Sequence, residues 1–124
     1  AGLGAAIASV GALGLERIAA HELTLLEAAT AAPADLPGLR IVGTARDKAS
    51  LVSFVLEGVH PHDAGTILDR QGIAVRAGHH CAMPVMERFG LPATTRASFG
   101  LYNTLAEVEA LAAGLRKVRE VFAR

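Results

Sequence analysis

Apolar residues recur at helical spacing from Leu3 to Ala32, with Leu15, Ile18, Leu23 and Leu26 and the alanines between them forming one apolar face. Gly11 and Gly14 interrupt that run. A glycine costs a helix interior about 1 kcal/mol relative to alanine, so "GALG" predicts a break or bend and two helical pieces rather than one rod. Pro33, Pro37 and Gly38 then end the helical pattern and open a turn.

Beyond that turn the period changes. "LRIVGT" and "LVSFVLEG" are short, rich in β-branched residues and bounded by Pro-Gly and polar residues, which predicts two strands with "ARDKAS" as the turn between them. In "HPHDAGTILDRQGI", Pro61 suits a first helical turn, Asp63 favours the positive end and Gly72 is a stop. "IAVRA" predicts a third strand, partnered by "TTRASFG". Strand alternation sets Thr94, Arg96 and Ser98 on a polar face against Thr95, Ala97 and Phe99 on a packed one, so Arg96 is expected to point away from the core. Between these two strands, Pro84 suits the first turn of a short helix, "PVMERFG".

The last segment begins "TLAE", where Thr104 caps a helix and Glu107 returns the bond, and Leu105, Val108, Leu111, Leu115, Val118 and Phe122 follow at helical spacing. The order of elements predicts an α+β fold: a small mixed or antiparallel sheet of about three to four strands with helices packed on it. The chain has no internal repeat or low-complexity tract.

Length and charge narrow the function. A chain of 124 residues suits one domain and buries roughly two thirds of the surface of its unfolded form. Twelve Lys and Arg balance twelve Asp and Glu, with no basic run to neutralise phosphates, so nucleic acid is not an expected partner. "AGLGAAIASVGALGL" is apolar but gives way to "ERIAAHE" well short of the roughly 20 apolar residues of a membrane span, so no membrane is expected. One cysteine forms no internal disulfide and suits a reduced cytosol, hence a cytoplasmic location.

That cysteine, Cys81, lies in "RAGHHCAMP". A thiol becomes reactive where helix N-termini or nearby cations stabilise its thiolate, lowering its pKa from about 8.5 to roughly 3.5–7.5. Cys81 precedes the short helix, and Arg76, His79 and His80 are its neighbours, with Gly78 freeing the loop backbone. Three readings stand open from these residues: a nucleophile, a packed thiol, or a metal ligand together with His60, His62, His79 and His80. Adjacent histidines do not easily face one ion, and no CxxC or HxxxH pair is present, so no metal site is expected. Arg96 also has two readings, a solvated strand charge or a clamp whose planar fork holds a carboxylate.

The wording of the chain decides between them. "GIAVRAGHHCAMPVMERFGLPATTRASFGLYNTLAEVEALAAGLRKVREVF" resembles the C-terminal part of SufS-type (group II) cysteine desulfurases, in the class V aminotransferase family, and the match continues upstream through "GLGAAI", "ALGLERIAAHE" and "HPHDAGTILDRQGIAV". The resemblance implies the C-terminal small domain of a fold-type I pyridoxal phosphate enzyme, with linking helices at 1–32, a sheet-and-helix body at 38–124 and the cysteine loop at 76–84. Such enzymes remove sulfur, or selenium in the selenocysteine lyases among them, from cysteine or selenocysteine to leave alanine. In the iron–sulfur assembly branch they act as homodimers and pass the sulfur to an acceptor protein of the SufE or SufU kind.

Cys81 in "GHHCAMP" matches the loop cysteine that becomes a persulfide, and Arg96 in "TTRAS" matches the arginine that binds the carboxylate of the substrate L-cysteine. The short spacing from Gly78 to Cys81 resembles the compact group II loop. What departs from the pattern is the lysine: only Lys48 and Lys117 are present, neither in the "HK" setting of the family's Schiff base. The isolated chain is therefore expected to bind no cofactor and to be inactive, and a stand-alone sulfur-carrier or protein-binding module remains the alternative.

Overall fold

The computed structural model describes residues 1–123; Arg124, the last residue of the predicted body, lies outside them. Its elements are helix α1 (Gly2–Leu13), helix α2 (Leu15–Ala31), strand β1 (Leu39–Val42), strand β2 (Leu51–Leu56), helix α3 (Pro61–Asp69), strand β3 (Arg76–Gly78), helix α4 (Met83–Phe89), strand β4 (Thr94–Ser98) and helix α5 (Leu105–Phe122). The strands form one sheet in the order β1-β2-β4-β3, and every neighbouring pair is antiparallel. The fold is α+β.

The predicted break falls at Gly14, whose φ of 88° lies in the left-handed region that glycine enters without a Cβ clash. Helices α1 and α2 meet there at 81°. Among the described residues no single helix is long and apolar enough to cross a membrane. Helix α2 buries Leu25, Leu26 and Ala29, whereas α1 buries nothing and leaves Leu3 and Ile7 exposed.

The core lies between one face of the sheet and the helices. Along β2 burial alternates, with Val52, Phe54 and Leu56 turned inward, as the two-residue period of a strand with one covered face requires. Ala97 of β4 joins them, and α2, α3 and α5 close the layer with Leu25, Leu68, Val108, Leu115 and Val118. Fully burying a side chain of this size contributes about 1.5–3 kcal/mol, so this layer supplies most of the drive to fold. Helix α5 approaches α3 at Gly114, where a Cβ would stand 2.6 Å from Ile73 Cδ1 and 2.8 Å from Leu68 Cδ2. Leu105 and Phe122, at the two ends of the predicted apolar stripe, are exposed, because they project past the sheet that the middle of the helix covers.

The start of α5 is set by a reciprocal pair of bonds. Thr104 Oγ1 accepts from the Glu107 backbone N–H at 3.4 Å, and Glu107 Oε2 accepts from the Thr104 N–H at 2.7 Å. The latter bond, with smaller help from Asn103 and the Thr104 hydroxyl, holds the Glu107 carboxyl below its ordinary pKa. Thr104→Ala removes one half of the pair and is expected to cost about 1 kcal/mol, read as a lower denaturant midpoint with unchanged slope.

Strand β3 is shorter than "IAVRA" and lies further along the chain, at Arg76–Gly78. Ile73 and Val75 instead pack part-buried against the core ahead of the strand. The opposite sheet face carries no helix of the core layer. By strand alternation it presents Ser53, Arg76 and Arg96, since Ser53 pairs with Arg96 in one register and Arg76 pairs with Arg96 in the next.

Candidate active site

The open face is where the chemistry collects. Arg96 sits in β4, one of the two strands with neighbours on both sides, and is partly buried with its Nε enclosed and without a hydrogen-bond partner. It points away from the core, as alternation predicts. Arg76 stands directly across the ladder from it. Like charges in opposite positions repel and destabilise a strand pair, and among the described residues no carboxylate pairs with either arginine. Two in-register guanidiniums with no internal counter-ion make a face complementary to an anion, and the planar fork of arginine suits a carboxylate.

Thr94 departs from the sequence expectation. Alternation puts it on the same face as Arg96, where a solvated residue is expected, yet it is only 1% exposed. The cause is the cysteine loop, which folds back so that His80 lies against it: His80 Nε2 is 3.0 Å from Thr94 Oγ1 and 3.3 Å from the Thr94 carbonyl oxygen. The hydroxyl can donate or accept, whereas the carbonyl only accepts; Nδ1 is buried without a partner. Burial, and then the positive charge of Arg96, lower the pKa of His80 from 6.5; Arg76 and His79 add to this, and the bond to the Thr94 backbone opposes it. His80 therefore acts near neutral pH as an uncharged hydrogen bonder and not as one of the cations beside the thiol.

Cys81 is free and exposed, as the loop composition predicts. It occupies a tight turn: the Ala82 N–H donates to the His79 carbonyl at 2.9 Å, and the Cys81 N–H donates to His79 Nδ1 at 3.2 Å. His80 and Cys81 have φ of 56° and 57°. Residues with a Cβ enter that region at a cost of order 1–3 kcal/mol each, and such strain concentrates where a side chain has to be aimed. Helix α4 begins two residues later, with Ala82 as its N-cap and Pro84 in its first turn.

Of the predicted site residues, the structure links the Cys81 turn to the strand of Arg96 through His80, which docks on Thr94 two positions from Arg96 and precedes the cysteine. It does not bring in His60 and His62, which belong to the start of α3, where His60 Nδ1 accepts from the His62 N–H at 3.2 Å. No group of three or more His, Cys, Asp or Glu side chains among the described residues could hold a metal ion. Sequence reasoning missed Thr94 as the anchor of the loop and Arg76 as the cross-strand neighbour of Arg96. Both depend on strand register, for which the chain carries no local signal.

Neither lysine reaches this face. Lys117 belongs to α5, on the covered side of the sheet, and pairs with Glu120 at 3.0 Å. Lys48 lies in the β1–β2 connection, its Nζ 3.5 Å from the Gly43 carbonyl. The residues present thus offer an anion-binding face and a thiol, but no amine placed to receive an aldehyde cofactor.

A sequence profile of the aminotransferase class-V family matches residues 1–111. The chain belongs to that family. Among family relatives it is 54% identical over 98% of its length to a probable cysteine desulfurase of Streptomyces coelicolor, and 54% identical over 95% to a cysteine desulfurase of Synechococcus elongatus. It spans 29% and 19% of those two proteins. The apo structure of a cysteine desulfurase from Thermococcus onnurineus superposes with a TM-score of 0.92 at 39% identity, over 97% of this chain and 30% of that one. The cysteine desulfurase CsdA of Escherichia coli gives 0.76 at 39% identity, over 82% and 25%. Class V relatives thus share this sheet and its helices as a fraction of a longer protein.

Proposed function

We propose that the chain is the C-terminal small domain of a pyridoxal phosphate-dependent cysteine desulfurase of the SufS type, with residues 1–32 as linking helices and 38–124 as the body. The observation that carries this reading is an exposed thiol on a strained turn whose neighbouring residue, His80, docks on Thr94, two positions along β4 from a partly buried arginine with an enclosed, unpaired Nε. The relatives' names and the apolar α1, which buries no residue, support a domain that lies against a larger remainder of the protein.

In this reading L-cysteine and the Cys81 thiol give L-alanine and a Cys81 persulfide: the substrate C–S bond breaks and an S–S bond forms. Arg96, with Arg76 beside it, holds the substrate carboxylate. The Cys81 thiolate supplies the electron pair for the new bond, and its exposed turn then presents the outer sulfur to an acceptor of the SufE or SufU kind. Pyridoxal phosphate, held by the remainder of the protein, supplies the electron sink. The dimeric enzyme works in the cytoplasm, in iron–sulfur cluster assembly.

The test compares the intact gene product with the 124-residue chain, each incubated with pyridoxal phosphate and L-cysteine. The intact protein is expected to show a Schiff-base absorbance and to form alanine, with one labelled sulfur trapped on Cys81 before turnover. The short chain is expected to do neither. A reading frame without a lysine-bearing upstream domain, or an intact protein that takes up sulfur without forming alanine, points instead to a stand-alone sulfur carrier.

A further inference from the structure

Two of the bonds that shape the turn carrying Cys81 are internal to it. The Ala82 to His79 bond and the Cys81 N–H to His79 Nδ1 bond travel with the loop wherever it goes. The His80 ring on Thr94 is the side-chain contact that fastens the turn to β4, beside the Gly78–Thr94 strand pairing that leads into it and the Ala82 carbonyl, which accepts from the Val85 and Met86 N–H groups of α4. Thr94 is a rigid anchor, being 1% exposed and part of a strand paired on both sides. Arg96 is two positions further along that strand and on the same face. Thr94, through its hydroxyl at 3.0 Å and its carbonyl at 3.3 Å, therefore links the backbone that aims the sulfur to the strand that bears Arg96.

Resting on the desulfurase reading, we propose that His80 and Thr94 form a positioning pair, which sets where the Cys81 sulfur stands relative to a substrate held by Arg96. Neither touches the reacting atoms. The alternative is that Thr94 merely satisfies a buried ring nitrogen, which would matter to stability and not to the chemical step. The two are separable because Arg96 and the anchor are on the same strand but only the loop depends on the anchor. Losing the pair leaves substrate binding intact and lets the thiol wander from its line of attack. Misplacement on the order of 1 Å costs up to about a hundredfold in rate.

The experiment uses the intact holoenzyme with L-cysteine. Thr94→Val keeps shape and removes the hydroxyl. His80→Asn tolerates the left-handed backbone but is too short to reach β4. Both are expected to lower kcat about tenfold while KM stays within about twofold. Thr94→Ser restores the hydroxyl, and His80→Gln carries an amide nitrogen near the position of Nε2, so these are expected to recover most of the rate. The double variant should be no slower than His80→Asn alone, since that change already removes the ring's contacts with both the hydroxyl and the carbonyl of Thr94. Wild-type kcat in both Thr94→Val and His80→Asn overturns the proposal, as does a KM that rises in step with the fall in kcat, or failure of both conservative variants to rescue. Should Cys81→Ala turn over L-cysteine normally, the desulfurase role of Cys81 itself fails, a result distinct from a failure of the pair.

Discussion

Replacing Cys81 by alanine in the intact enzyme is expected to abolish sulfur removal from L-cysteine while leaving cofactor absorbance and substrate binding in place. The thiol is exposed and makes no side-chain bond within the fold, so its loss leaves no cavity and no unpaired group. Alanine adopts the positive φ of 57° no more easily than cysteine, so the backbone cost is about equal in the two proteins. What disappears is the nucleophile. A fall in kcat of at least about a hundredfold, or about 2.7 kcal/mol of barrier, is the expected size. The check is alanine formation under single-turnover conditions beside the cofactor spectrum. Turnover near that of the wild type would remove Cys81 from the mechanism.

Arg96→Lys is expected to lower kcat/KM for L-cysteine by roughly ten- to a hundredfold, corresponding to about 1.5–3 kcal/mol for a charge-assisted bond. The charge is kept, so the effect isolates geometry: a guanidinium offers two parallel donors in a plane, an ammonium a single point. Lysine sets a methylene where Arg96 Nε is enclosed and its single nitrogen at the place of Cζ, short of both terminal nitrogens of the fork. Arg76 remains across the ladder and supplies residual attraction, so Arg96→Ala should weaken binding further without eliminating it. Cofactor absorbance should not change. Steady-state kinetics of both variants decide the matter, and wild-type values in each would make Arg96 a solvated strand charge.

Local pattern made much of this molecule legible. The break at Gly14, the proline-led start of α3, the capping box of Thr104 and Glu107, and the alternation that turns Arg96 from the core each follow from residues within a few positions of one another. The exposure of Cys81 was legible from its polar, glycine-led loop for the same reason. Thr94 was not. Its strand pattern reads as solvated, and only the return of the loop fourteen residues earlier covers it.

The amino-acid sequence by itself determined the order and type of the main helices and strands, the apolar faces of β2 and of the middle of α5, and that one thiol and one strand arginine stand out as chemistry. Those properties arise from periodicity, capping and turn preference, which act over one or two turns of chain. Only the tertiary structure decided that Arg76 lies opposite Arg96, that His80 docks on Thr94, and that two adjacent residues with side chains take up left-handed backbone. Each of these depends on antiparallel register and on packing between segments far apart in the chain. Register is set by the burial of a whole sheet face at once, so no short stretch of sequence contains it.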